Sequence, residues 1–325
     1  MTKLQELRPS SSLISGGSRE RVRGDCWEAN LSAFVILSRG KCGLSTCTTH
    51  YLVAMSVTDL LVVITEVILR RINNYYFPLN VLKLTSVCRP LYVMIRAAID
   101  CSVWFTVTFT FDRFVAISCQ KLKLKYCTKK TSTVVLAITS ILLCLKNIPI
   151  YFRYKPKWVI NNVEWRCSNQ QNYFRDPRWT GFRIFEKVLT PLLPFGLILL
   201  LNAMTIRHIL MAIRVRKGLK GQKKDEKRSD QEMESRRKSM ILLFTISGTF
   251  ILLWLVYIIY IFDFDDSVID PRGMFEVIAY MLRNLSCCTN TFIYVATQSK
   301  FRDQLKRMLK YPLTSIHKFM NSQNN

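Results

Sequence analysis

Acidic residues are scarce in this chain: 22 Asp and Glu stand against 47 Lys and Arg in 325 residues, a formal net charge of +25. Such an excess would suit a nucleic-acid binder, because lysine and arginine neutralise phosphates. The positive charge is instead spread over alternate loops, with no basic-aromatic RNA motif and no zinc-finger spacing, which excludes that class. Histidine is rarer still. The three present, His50, His208 and His317, have no nucleophile or acid at motif spacing, so the chain is not read as an enzyme. The 11 cysteines form no Cys-x-x-Cys pair and mostly sit inside apolar runs, which argues against a metal centre or a dense disulfide scaffold. The N-terminal stretch lacks an apolar segment followed by a cleavage site, and no repeat of 20 to 50 residues is visible.

Long apolar runs are what the chain does have. A bilayer-spanning helix needs about 20 mostly apolar residues. Six runs meet that measure: Tyr51–Leu69, Leu91–Ile117, Thr131–Tyr151, Ile184–Ile213, Met240–Phe262 and Met274–Thr297. A seventh, Ala29–Leu37, reaches less than half a span, so the first helix reads as incomplete. Lys and Arg concentrate after this stub, in Gln120–Lys130, in Arg214–Lys238 and beyond Lys300, which places those stretches on the cytoplasmic side. The predicted fold is therefore an all-α membrane protein. It is a seven-transmembrane helix bundle with a truncated first helix over residues 29–299. A disordered segment precedes it at 1–28, and an amphipathic helix and cytoplasmic tail follow at 300–325. Phe301, Leu305 and Leu309 recur at four-residue spacing among basic residues, as in a helix lying on membrane lipid.

The third run ends in Phe109-Thr-Phe-Asp-Arg-Phe114, and further matches fall on successive helices: Asn30, Asp59, Cys88, Pro194, Phe250 with Trp254, and Asn290-Thr-Phe-Ile-Tyr294. In this order they resemble the rhodopsin-like, class A G-protein-coupled receptors. Longer stretches, Asp100–Phe114, Glu232–Ser239 and Ser286–Asn290, are similar to the orphan brain receptors that sense L-tryptophan and L-phenylalanine. The resemblance implies a plasma-membrane receptor that carries an extracellular aromatic amino acid-like signal to a heterotrimeric G protein of the Gq type. The ligand is then a small molecule.

The resemblance also assigns roles. Asp112, Arg113, Asn290 and Tyr294 form the G-protein switch, and Cys88 pairs with Cys167. Asn30, Asp59, Ser102, Ser286 and Asn290 form a polar network that holds water or Na+, with no other cofactor or metal expected. Helical spacing places Tyr92, Arg96 and Asp100 on one face of the third helix and Glu276, Tyr280 and Arg283 on one face of the seventh. With Glu186, and with Trp254 and Tyr257 as a floor, these could bind a zwitterion through a cation, an anion and an apolar socket. Glu66 with Arg70, or Arg96 with Asp100, could equally pair within their own helices.

Three departures from the class bear on mechanism. Val256 and Thr291 stand where the class carries prolines, so kinks in the sixth and seventh helices are not enforced. The foot of the sixth helix reads Ser235-Arg-Arg-Lys238, with Glu232 and Glu234 as the nearest acids, which predicts a weak second restraint on Arg113 and raised basal activity. The short first helix leaves open a truncated, non-signalling variant held in the endoplasmic reticulum. A channel or transporter would share the hydropathy but would carry paired repeats or helices broken by Gly and Pro.

Overall fold

The computed structural model describes residues 16–40, 42–72, 80–218, 226–263 and 273–309. Among them, five helices are long and apolar enough to cross a membrane: Thr46–Arg71, Thr85–Ser118, Lys129–Arg153, Pro177–Val215 and Arg237–Phe262. They are the second to sixth spans. The seventh is the helix Met274–Thr297, and the first is Gly16–Ser38. Most of the chain's apolar length is thus spent on helices, the form that satisfies every backbone group within its own segment in lipid.

The first span keeps the short apolar part expected of it, while its helix reaches further upstream. Its helix begins at Gly16, well upstream of Ala29, although the apolar part covers only Cys26–Ser38. Cys26 forms a disulfide with Cys288 of the seventh span, Cα to Cα 5.3 Å. Sequence reasoning missed this bond, having placed Cys26 in the polar segment. Asn30 strengthens the same seam, its Nδ2 donating to the carbonyls of Cys287 (2.9 Å) and Cys26 (3.2 Å).

Caps and breaks follow local chemistry. Ser45 and Thr128 cap the second and fourth spans by accepting from the amides of Thr48 and Thr131, as short hydroxyl side chains do at helix starts. The second span continues in π-helical form over Val63–Ile72. In the fourth, the helix Lys129–Asn147 stops and resumes at Pro149, a residue whose missing amide hydrogen and fixed φ break a helix and start a new one. The fifth starts at Pro177 behind an Asp176 cap and breaks at Thr190, before Pro191, where φ is −148° and ψ 103°. The sixth helix runs Glu226–Asp263 through Val256, and the seventh runs unbroken through Thr291, as positions without proline allow.

Between the fourth and fifth spans lies a hairpin of β1, Tyr154–Ile160, and β2, Val163–Asn169, paired antiparallel with Trp158 opposite Trp165. Asn161 and Asn162 make the turn with φ of 51° and 61°. A two-residue turn with both φ positive matches the twist of the flanking strands, and asparagine tolerates it. The Cys88–Cys167 disulfide fastens β2 to the start of the third span. Two buried clusters fill the bundle. The inner one includes Tyr51, Phe109, Leu243, Tyr294 and Phe301. The outer one centres on Ile95, Ile99, Phe250, Trp254 and Tyr257. Phe301 belongs to a helix over 299–309 and packs edge-on against Tyr294 at 5.7 Å, while Leu309 stays exposed.

Candidate functional site

The outer half of the bundle carries two buried glutamates. Glu66, 1% exposed on the second span, accepts from Arg70 (2.5 and 2.6 Å), Arg71 (3.2 Å) and Arg283 of the seventh span (3.3 Å). One anion therefore faces three guanidiniums. Glu186 on the fifth span accepts from Arg96 at 3.2 Å, with Lys146 Nζ at 3.7 Å. Helical spacing put Arg96 beside Asp100, but Asp100 turns to the fourth span and accepts from Lys146 (2.8 Å) and Asn147 (2.7 Å). Asp100 thus joins the third span to the fourth and meets the Arg96–Glu186 pair through Lys146, which it shares with Glu186.

Aromatic rings close the space between the two carboxylates. Arg283 lies over Tyr257 (5.0 Å) and Tyr280 (4.7 Å), an arrangement that spreads cationic charge over π faces. Trp254 stands edge-on to Tyr257 at 5.6 Å and stacks on Phe250 at 5.2 Å. Above, Tyr92 stacks on Tyr154 of β1 at 4.4 Å, so the hairpin roofs the third span. Glu276, also expected in this group, is exposed in the first turn of the seventh span, and no hydrogen bond or ion pair joins it to the cluster among the described residues. Arg96, Glu186, Trp254, Tyr257, Tyr280 and Arg283 are brought together. Tyr92 borders them.

Below the aromatic floor, Trp254 Nε1 donates to Ser286 Oγ (3.0 Å), which itself donates to the Arg283 carbonyl (2.7 Å). Asp59, 1% exposed, accepts from Ser102 (2.5 Å) and from Asn290 (2.8 Å). A buried carboxyl group needs such donors to offset its lost hydration. Among the described residues, Asn30 reaches this network through the main chain at Cys287, and its buried Oδ1 has no hydrogen-bond partner.

At the inner end Arg113 donates to Asp112 through both Nε (3.0 Å) and Nη2. Cys47 Sγ holds the other carboxylate oxygen at 3.0 Å. Among the described residues, the sixth span meets Arg113 at Ser239, whose hydroxyl accepts from Arg113 Nη1 at 3.4 Å. The side chains of Glu232 and Glu234, along with Ser235, lie outside the described residues. Sequence reasoning looks to an acid, not to this serine, for the restraint at this foot. Tyr294 is buried against Phe301, with no bond to Asp112 or Arg113 among the described residues.

The seven helices, the Asp-Arg pair at the inner end of the third and the disulfide from that helix to the hairpin together describe a membrane receptor of the heptahelical type. Residues 29–294 match the family of 7 transmembrane receptors of the rhodopsin family, and the chain belongs to that family. It is also similar to C-C chemokine receptor type 1 of Macaca fascicularis, 23% identical over 292 residues, which cover 86% of this chain and 74% of the relative. The protein is accordingly a multi-pass G-protein-coupled receptor, and its family transmits signals rather than catalysing reactions. The family resemblance read from the sequence is confirmed at this level, and the channel or transporter reading falls away.

Proposed function

We propose that the receptor answers a small zwitterionic aromatic molecule, of the L-tryptophan or L-phenylalanine kind, at the plasma membrane and activates a Gq-type G protein. The observation that carries this reading is the opposed pair of buried ion clusters, Arg283 on Glu66 and Arg96 on Glu186, over a floor of Trp254, Tyr257 and Tyr280. An amino acid's carboxylate would exchange for Glu66 at Arg283, its ammonium group would meet Glu186, and its ring would settle on the aromatic floor. Such a ligand shifts the resting equilibrium only by its preference for the active arrangement. Below, Na+ would be held by Asp59 and Ser102, whose oxygens suit a hard cation, with the orphaned Asn30 Oδ1 completing the polar chamber. The helix over 299–309 would rest on the inner lipid surface.

Calcium mobilisation in cells displaying this chain, challenged with L-tryptophan, L-phenylalanine and L-valine, tests the proposal. A response to the aromatic pair that Arg283→Gln abolishes is the expected result. Silence to both at full surface display would overturn the ligand class. The short apolar part of the first span, Cys26–Ser38, favours a second reading, a receptor variant retained in the endoplasmic reticulum. Surface biotinylation separates the two.

A further inference from the structure

Between Glu66 and Asp100 the chain has five basic residues, Arg70, Arg71, Lys83, Arg89 and Arg96, and no acid. Arg70 and Arg71 are already gathered on Glu66, and Arg96 is met by Glu186. Lys83 is left. It ends a short helical turn, Val81–Lys83, between the second and third spans, and is only 7% exposed. No carboxylate or other acceptor meets its ammonium group among the described residues. Its neighbour across the gap is a second cation, Arg166 of β2, and burial together with that like charge lowers the Lys83 pKa from its usual value. A lysine buried against an arginine with no counter-ion is an incomplete electrostatic arrangement.

The gap itself is a cleft of about 280 Å³ opening beside the Cys88–Cys167 disulfide. Arg70, Lys83 and Arg166 supply its polar wall, and Leu69, Leu82 and Leu91 its apolar one. Arg166 cannot easily turn away. Its backbone is left-handed, φ 57°, next to the disulfide at Cys167, and its carbonyl accepts from Thr85 Oγ1 at 3.3 Å. Its guanidinium lies over Trp158 at 4.9 Å, and its buried Nε has no hydrogen-bond partner among the described residues. The cations are thus fixed on both sides of a space with one charged and one greasy face.

We propose that this cleft binds a small organic monoanion, its carboxylate between Lys83 and Arg166 and its apolar group against Leu82 and Leu91. The cleft adjoins the cluster around Glu66 through Arg70 and Tyr92, but Lys83 and Arg166 belong to that cluster in neither contact nor charge pairing, and occupancy of the cleft does not depend on the signalling assignment. A bound carboxylate would tie the hairpin to the top of the third span through charge as well as through the disulfide. The two-faced lining favours an aryl or alkyl acid over a bare inorganic ion, which would leave the leucines unused.

Benzoate is the probe. Purified full-length receptor in detergent, without G protein, is titrated with sodium benzoate, benzamide and sodium chloride while thermal unfolding is followed. Saturable stabilisation by benzoate alone is expected, with the apparent Kd raised at least tenfold by Lys83→Met or Arg166→Gln and restored by Lys83→Arg. Lys157→Met, on the same hairpin but off the cleft, should leave it unchanged. Equal stabilisation by benzamide, or benzoate binding indifferent to both cleft variants, would overturn the proposal. Equal stabilisation by chloride at matched concentration would overturn the organic ligand class. Should Lys83→Met not fold, Arg166→Gln and Lys83→Arg decide the matter alone.

Discussion

The weakest link around Arg113 is its contact with the sixth span, and it can be altered in both directions at Ser239. In the structure that contact is one hydroxyl at 3.4 Å, near the outer limit of a hydrogen bond, to a guanidinium otherwise committed to Asp112. A bond from a charged donor contributes about 1.5 to 3 kcal/mol at good geometry, and at this length about 1 kcal/mol is a fair measure. Ser239→Ala should then shift the resting balance about fivefold toward the active arrangement, since 1.4 kcal/mol is about tenfold. Ser239→Glu places a carboxylate opposite Arg113, which is 6% exposed. A charge-assisted pair in that setting adds about 2 kcal/mol to the resting state and should cut basal signalling about thirtyfold. Inositol phosphate accumulation without ligand, normalised to surface receptor, measures both. Basal output that ignores both substitutions, or that rises with glutamate, would refute the idea that Ser239 carries the sixth-span restraint.

Further outcomes follow from the other contacts. Glu66→Gln strands three arginines around one neutral amide, a change of the kind that costs about 3 to 5 kcal/mol, and should cut surface expression sharply by flow cytometry. Cys288→Ser opens a link spanning 262 residues of sequence, worth roughly 5 kcal/mol in the chain-entropy model, and should lower the Tm of detergent-solubilised receptor more than Cys287→Ser does. Asn161→Val forces a β-branched residue into positive φ at the hairpin turn; faster protease cleavage within 154–169 is expected, with Asn161→Gly matching or exceeding the parent.

Run length and loop charge made the second to seventh spans legible because both are properties of a single segment. So was the fourth-span interruption, since Asn147 to Pro149 carries its own breaking chemistry. Residues that must find partners on another helix were harder. The spacing of Arg96 and Asp100 shows that they share a face, but Glu186 and Lys146 approach from two other helices and divide the pair. Ser239 reads from the sequence as a hydroxyl among basic residues, open to phosphorylation, and its contact with Arg113 stays hidden because a search for a restraint there looks for charge. The hairpin did leave a trace: two β-branched and aromatic runs flank Asn161-Asn162, a two-residue turn signal hidden by the basic residues around it. Nothing in the spacing of 11 cysteines joins Cys26 to Cys288, because that bond depends on how the first helix leans against the seventh.

That bond also changes what kind of object the bundle is. With Cys26 joined to Cys288, the chain from the first span to the seventh becomes a covalent ring, and every loop between them is a segment of its circumference. Cutting one such loop opens the ring without freeing a piece. A receptor nicked once between residues 218 and 226 would migrate as two fragments only after reduction, and before it as a single species in which the first and last helices still hold each other.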